Sequence, residues 1–137
     1  MLKKRVQLSV VLENVPGRLG EICDLLYGLG VDIDAMTAIP IGESGILRMV
    51  VSDHQKAIHT LNDHQIPFLQ TDVLVAHVPN EPGMAAGLGA RFSQAGVNIE
   101  YAYFSGGQPK SMTLLVFKVK DVTEAMMKLE KQAGEYN

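Results

Sequence analysis

The sequence predicts an α+β fold made of two copies of one module, residues 1–70 and 71–137, and three observations carry that expectation. The tetrapeptide Asn14-Val15-Pro16-Gly17 returns 66 residues later as Asn80-Glu81-Pro82-Gly83. At the same displacement Gly30-Val31-Asp32-Ile33-Asp34 returns as Gly96-Val97-Asn98-Ile99-Glu100, with Gly, Val and Ile kept and acidic or amide residues in matching places. Within each copy the hydrophobic period changes from that of a strand to that of a helix and back. Modules of this length cover only about 60% of their unfolded surface alone, so two of them are expected to lean on each other.

Each copy reads as strand, helix, strand, strand, helix. Residues 5–12 alternate, with Val6, Leu8 and Val10 on one face. Pro16 and Gly17 break the strand, and Leu19, Ile22, Cys23, Leu26 and Leu29 then form one helical stripe, answered in the second copy by Ala85, Leu88, Gly89, Phe92 and Ala95. Gly30 and Gly96 stand where helices terminate. Strands follow at 32–40 and 45–52, and again at 98–105 and 111–119 around Gly106-Gly107. Second helices cover about 54–64 and 121–132. Asp53, Ala57 and Leu61 match Asp121, Ala125 and Leu129 at a displacement of 68, so the second copy carries two extra residues near Ser105 to Lys110, which marks a loop. The first copy closes with Ile66-Pro67-Phe68-Leu69 and passes by a short linker into Val73-Leu74-Val75-Ala76, which opens the second. The tail Gln132 to Asn137 is too short and polar for a last strand, so the second module is expected to lack one and to leave a sheet edge open.

Composition narrows function. Hydrophobic residues make up 47% and charged residues 20%, which is globular and not disordered. The net charge is −3, and basic residues are scattered apart from Lys3, Lys4 and Arg5, so nucleic acid is not an expected partner. No window approaches the apolar length of a membrane span or a signal peptide, and the single cysteine, Cys23, makes no internal disulfide; a cytoplasmic location without membrane contact is expected.

Two βαββαβ units, each with Asn-x-Pro-Gly between first strand and first helix and Gly-Val-(Asp/Asn)-Ile entering the second strand, resemble tandem ACT domains over about residues 5–132. The resemblance implies a ferredoxin-like fold, with antiparallel sheets carrying helices on one face. It also implies a non-catalytic sensor that binds an amino acid or similar small ligand at domain interfaces, against the loop after the first strand, and regulates amino-acid metabolism.

The chemistry of the loop points to the same place. The first helix of each copy begins just after Pro16-Gly17 or Pro82-Gly83, and its free N–H groups suit a carboxylate. Gly17 and Gly83 allow close approach, while Asn14 and Asn80 offer donors and an acceptor. Arg18 and Leu19 follow in the first copy, Met84 and Ala85 in the second, so the sites are unequal: Arg18 can grip a carboxylate and Met84 can only line a pocket. Asp34 and Glu100 are candidate acceptors for the ligand's ammonium group. Each residue also has a structural reading: Pro-Gly as helix punctuation, Asn14 and Asn80 as helix caps, Asp34, Glu100 and Arg18 as solvated charges.

Other chemistry is unsupported. His54, His59 and His64 are spaced by five, which turns successive side chains by about 140° and prevents a shared metal. His77 reads as a half-buried strand residue, Cys23 as an inert core thiol, and Met126 and Met127 as core and fringe of the last helix. No catalytic, phosphate-binding or metal motif occurs, so no cofactor is expected. The alternatives are a regulatory subunit acting in trans on a biosynthetic enzyme and a small ferredoxin-like enzyme. RNA binding is disfavoured because the third strands, residues 45–51 and 112–117, hold one aromatic residue between them. A homodimer is expected from the exposed edges.

Overall fold

The computed structural model describes residues 2–106 and 108–135, with backbone alone for 133–135. Gly107 of the expected hairpin turn and the end of the tail lie outside the described residues. The elements run β1 (Leu2–Glu13), α1 (Arg18–Gly28), β2 (Ile33–Ile41), β3 (Ser44–Val51), α2 (His54–Asp63), β4 (Phe68–Pro79), α3 (Met84–Gln94), β5 (Tyr101–Phe104), β6 (Met112–Lys118) and α4 (Val122–Glu135). The chain forms two compact units, one of residues 6–71 and one that joins the residues up to Arg5 to those from Asp72 onward.

In the first unit the strand order is β2-β3-β1, with the opening residues of β4 beside β1. The pairing is antiparallel, with Leu8 opposite Met49, Leu12 opposite Gly45 and Ala38 opposite Leu47. Alternation places Leu8, Val10 and Leu12 of β1 and Leu47, Met49 and Val51 of β3 on one face, where α1 delivers Ile22 and Leu26 and α2 delivers Ala57 and Leu61. These side chains are essentially out of water, and full burial of each large one contributes about 1.5–3 kcal/mol. Leu19 and Leu29, expected on the α1 stripe, are exposed, and Leu25 packs at the core margin instead. The stripe is therefore narrower than the spacing suggested, because α1 sits on the sheet through one side only.

The second unit repeats this plan with the order β4-β6-β5. Leu74, Ala76 and Val78 of β4 and Leu115 and Phe117 of β6 meet Leu88 and Phe92 of α3 and Ala125 and Leu129 of α4. The Phe92 and Phe117 rings lie 4.6 Å apart at 49°, a tilted aromatic pair. Ala85, expected on the core stripe, is exposed. β5 is only four residues long, shorter than 98–105, although Glu100 N–H still reaches the Lys118 carbonyl at 2.8 Å.

Both first helices end in the same way. Gly30 (φ 72°) N–H bonds Tyr27 O and Val31 N–H bonds Leu26 O; Gly96 (φ 72°) and Val97 do the same with Ser93 and Phe92. This is the Schellman closure, whose left-handed residue favours glycine. α2 closes likewise through Ile66 N–H on Leu61 O, but Gln65 occupies the left-handed place at φ 54°. Both second helices are capped by an aspartate: Asp53 accepts from Lys56 N–H at 3.1 Å and Asp121 from Glu124 N–H at 3.0 Å. The matched aspartates found in the sequence are thus helix caps.

Two expectations about strands are corrected. The segments read as closing the first module and opening the second form one continuous strand, β4, with Gln70, Thr71 and Asp72 inside it. No strand follows α4 among the described residues, as expected, but the place beside β4 is not open. Residues 2–5 of β1 occupy it, with Leu2 against the second unit's core and Lys4 Nζ 3.4 Å from Asp72.

Candidate functional site

The Pro-Gly loop of the first unit joins the end of β1 to α1. Val15 N–H folds back on Glu13 O at 2.9 Å, and Gly17, at φ 88° and ψ −11°, turns the chain into the helix. Gly83 does the same at φ 82°. Both glycines are the N-cap residues, neither helix has a side-chain cap, and a Cβ built at either position meets nothing within 4 Å. The capping roles considered for Asn14 and Asn80 are thus not what the structure shows. Arg18 N–H donates to Val15 O at 3.4 Å and Met84 N–H to Glu81 O at 3.1 Å, so the first-turn donors left for an anion are the N–H groups of Leu19 and Gly20 and those of Ala85 and Ala86.

The two loops are held differently. Asn14, Val15, Pro16 and Gly17 are exposed, as are Leu19 and the counterparts Pro82, Gly83 and Ala85, while Arg18 and Met84 are half-buried. Asn80 is tied into the loop that carries the two-residue insertion: its N–H bonds Ser111 O at 2.7 Å, its carbonyl accepts from Lys110 N–H at 2.9 Å, and its side-chain amide reaches Gln108 O at 3.5 Å. Ser111 Oγ holds Gln108 O at 2.6 Å, and Thr113 Oγ1 bonds the Ser105 carbonyl. Lys110 takes a left-handed φ of 71° to make this fit. The second loop is therefore braced by the insertion, which the sequence marked only as extra length.

Asp34 and Glu100 stand apart from the loops of their own units. Ile41 pairs with Ser44, which also faces Glu13 beside the first loop, whereas Asp34 sits at the far end of β2, in a bulge where the register shifts between Ile33 and Ala35. Asp34 precedes Ile41 by seven residue steps along the strand, about 23 Å. Glu100 likewise lies by Lys118, at the end of β6 remote from Asn80, and pairs with Lys118 Nζ at 3.0 Å. Neither carboxylate is brought to the Pro-Gly loop of its own unit.

An open groove of about 440 Å³ begins at Arg18 and runs along α1 to the turn after α2. Glu21 and Asp24 stand on its side, and Ile22, Leu25 and Ile66 form its floor. Arg18 Nη1 donates to Glu21 Oε2 at 2.9 Å, while its Nε is shielded from water and has no hydrogen-bond partner. His64 completes the lining; its Nδ1 lies 2.9 Å from the Thr60 carbonyl. A smaller cleft, about 260 Å³, lies in the second unit at the end away from its loop, between Val97, Asn98, Lys120 and Lys128.

The remaining candidates carry no chemistry here. Cys23 is half-buried, and burial first, then the Asp24 charge, pushes its thiol above the ordinary range, away from the reactive thiolate. His77 is exposed on β4 opposite Leu114, not half-buried as expected. His59 pairs with Asp63 at 3.3 Å, and no group of three metal-binding side chains occurs among the described residues. No helix among them is long and apolar enough to cross a membrane.

A family model of an ACT domain pair matches residues 4–132. A solved protein of Bacteroides thetaiotaomicron is similar at 30% identity and a TM-score of 0.84, covering 96% of this chain and 90% of that one. The ligand-free regulatory subunit of aspartate kinase from Thermus thermophilus aligns at 13% identity and a TM-score of 0.65, with 95% of each chain covered. The regulatory subunit of aspartate kinase from Thermus flavus aligns at 15% identity and a TM-score of 0.62, with 96% of this chain and 94% of that one covered. At such identities the two kinase subunits share the fold. No curated protein matches the sequence.

Proposed function

Because the chain belongs to the family of ACT domain pairs, we propose that it is a non-catalytic sensor that binds an amino acid at its Pro-Gly loops and regulates amino-acid metabolism. The observation that carries this reading is the pair of left-handed glycines, Gly17 and Gly83, each opening a helix that no side chain caps. Asn14, Pro16 and Arg18 form the first site with the Leu19 backbone, and Pro82, Met84 and Ala85 line the second. The bracing of Asn80 favours the first as the tighter one. The sensor works as a homodimer in the cytoplasm.

Its output is a metabolic enzyme, on which the chain acts in trans. The similarity in fold and length to two separate regulatory subunits of aspartate kinase supports that form of the reading.

A thermal-shift screen of the twenty amino acids, run beside sedimentation of the free protein, tests the proposal. A ligand at 100 times its Kd adds about 2.7 kcal/mol, which for a chain of this length raises Tm by about 9 °C. Folded protein that responds to none of the twenty refutes the sensor, and a monomer at micromolar concentration refutes the dimer.

A further inference from the structure

We infer that the groove along α1 of the first unit is the specificity pocket of the sensor, and that it selects an amino acid with an aliphatic side chain. The inference rests on the amino-acid reading above and goes further, to the ligand class and to the side chains that recognise it. A bare helix N-terminus accounts for a carboxylate and for nothing else in an amino acid. The acceptors first considered for the ammonium group, Asp34 and Glu100, lie at the far ends of their strands from their own loops. Asn14 offers one acceptor at the first loop itself, and the groove beside that loop supplies a charged set.

Its chemistry is graded along its length. At the loop end is Arg18, whose guanidinium is engaged only through Nη1, to Glu21, so that the fork formed by Nε and Nη2 remains for a carboxylate once the side chain turns outward. Beside it are the Glu21 and Asp24 carboxylates, about 0.8 and 1.7 turns along the same helix. Opposite stands His64. With Nδ1–H donated to the Thr60 carbonyl, the tautomer so fixed presents Nε2 as an acceptor, a third partner for an ammonium group. The floor is Ile22, Leu25 and Ile66, with no polar side chain among them to bond a hydroxyl or amide. The volume, about 440 Å³, falls within the range of about 300–1,000 Å³ for small-molecule sites.

The repeat supplies an internal comparison. Where the first copy has Arg18, Glu21 and Asp24, the second has Met84, Gly87 and Ala90, whereas the core residue Ile22 is matched by Leu88. The fold needs the apolar residue in both copies. It does not need the charges, and all three occur in one copy only.

Calorimetric titration of the full chain with L-valine, L-leucine and L-isoleucine tests the inference, with circular dichroism confirming that each variant is folded. The wild type is expected to bind at least one of them, and Arg18→Gln and Asp24→Asn each to weaken it by about tenfold or more. Leu25→Trp, which fills the groove and leaves every charge in place, is expected to abolish binding. If an aliphatic amino acid binds and these variants bind it as the wild type does, the groove is refuted and the sensor stands. If only polar or charged amino acids bind, the ligand class is refuted; if none of the twenty binds, both proposals fall.

Discussion

Replacing Gly17 by alanine separates the loop's backbone requirement from its role toward a ligand. At φ 88° and ψ −11° an L-residue suffers the left-handed penalty, about 1–2 kcal/mol, but the added methyl meets nothing within 4 Å, so no packing term is added. Alanine also restricts the unfolded chain, which returns about 0.4–1 kcal/mol. The net loss is about 1 kcal/mol, or a fall in Tm of about 3 °C given an unfolding entropy of about 0.29 kcal/mol/K for a chain of this size. Gly30 provides the control, since it has φ 72° and the same open surroundings at the other end of α1. Urea unfolding should therefore give Gly17→Ala and Gly30→Ala similar losses. Titration with the amino acid identified by the screen should separate them, because only the methyl at residue 17 stands where a carboxylate approaches the helix N-terminus. A gain in stability, or a loss above about 3 kcal/mol, refutes the conformational account. Equal weakening of ligand binding by both variants refutes the loop as the site.

Gln65→Gly is expected to stabilise the protein by about 0.5–1 kcal/mol, since Gln65 holds φ 54° in the closure that glycine occupies at Gly30 and Gly96; a lower urea midpoint would contradict this. Deleting residues 1–5 removes the strand beside β4 and the Leu2 contact, at a cost of about 2–4 kcal/mol to the second unit. Hydrogen exchange reads it directly: the amides of Val73 to Val78 should lose protection while those of β3 keep theirs, and unchanged rates in β4 would refute the placement of the N-terminal residues.

Much of the fold was legible because its punctuation is chemically narrow. Pro16-Gly17 and Gly30 stand where the backbone turns left-handed, and that demand recurs in both copies regardless of which hydrophobic residues fill the core. The alternation of Leu8, Val10 and Leu12 likewise follows from one buried face. Pairing partners were not legible. Gln70, Thr71 and Asp72 interrupt the apolar pattern and read as a linker, yet they sit in the middle of β4, where polar side chains that reach solvent cost a strand little and Lys4 can pair with Asp72. The occupant of a sheet edge is fixed by chain segments far away in sequence, which no local pattern reveals. At the site, the loops and their inequality at Arg18 and Met84 were visible, whereas the bracing of Asn80 and the groove beside Arg18 depend on what the tertiary fold brings near them.

The placement of residues 2–5 also sets an order of events during synthesis. These residues are made well before the neighbours that give them a place, Asp72 and the core that Leu2 joins. At about 5–20 residues per second, roughly 3–13 s pass before Asp72 follows Arg5 off the peptidyl-transferase centre. During that interval the first unit can assemble from its own residues, because its core side chains all fall between Val6 and Phe68. The second unit cannot, since one of its strands waits at the opposite end of the chain. Residues 2–5 are thus synthesised before the first unit and seated after it.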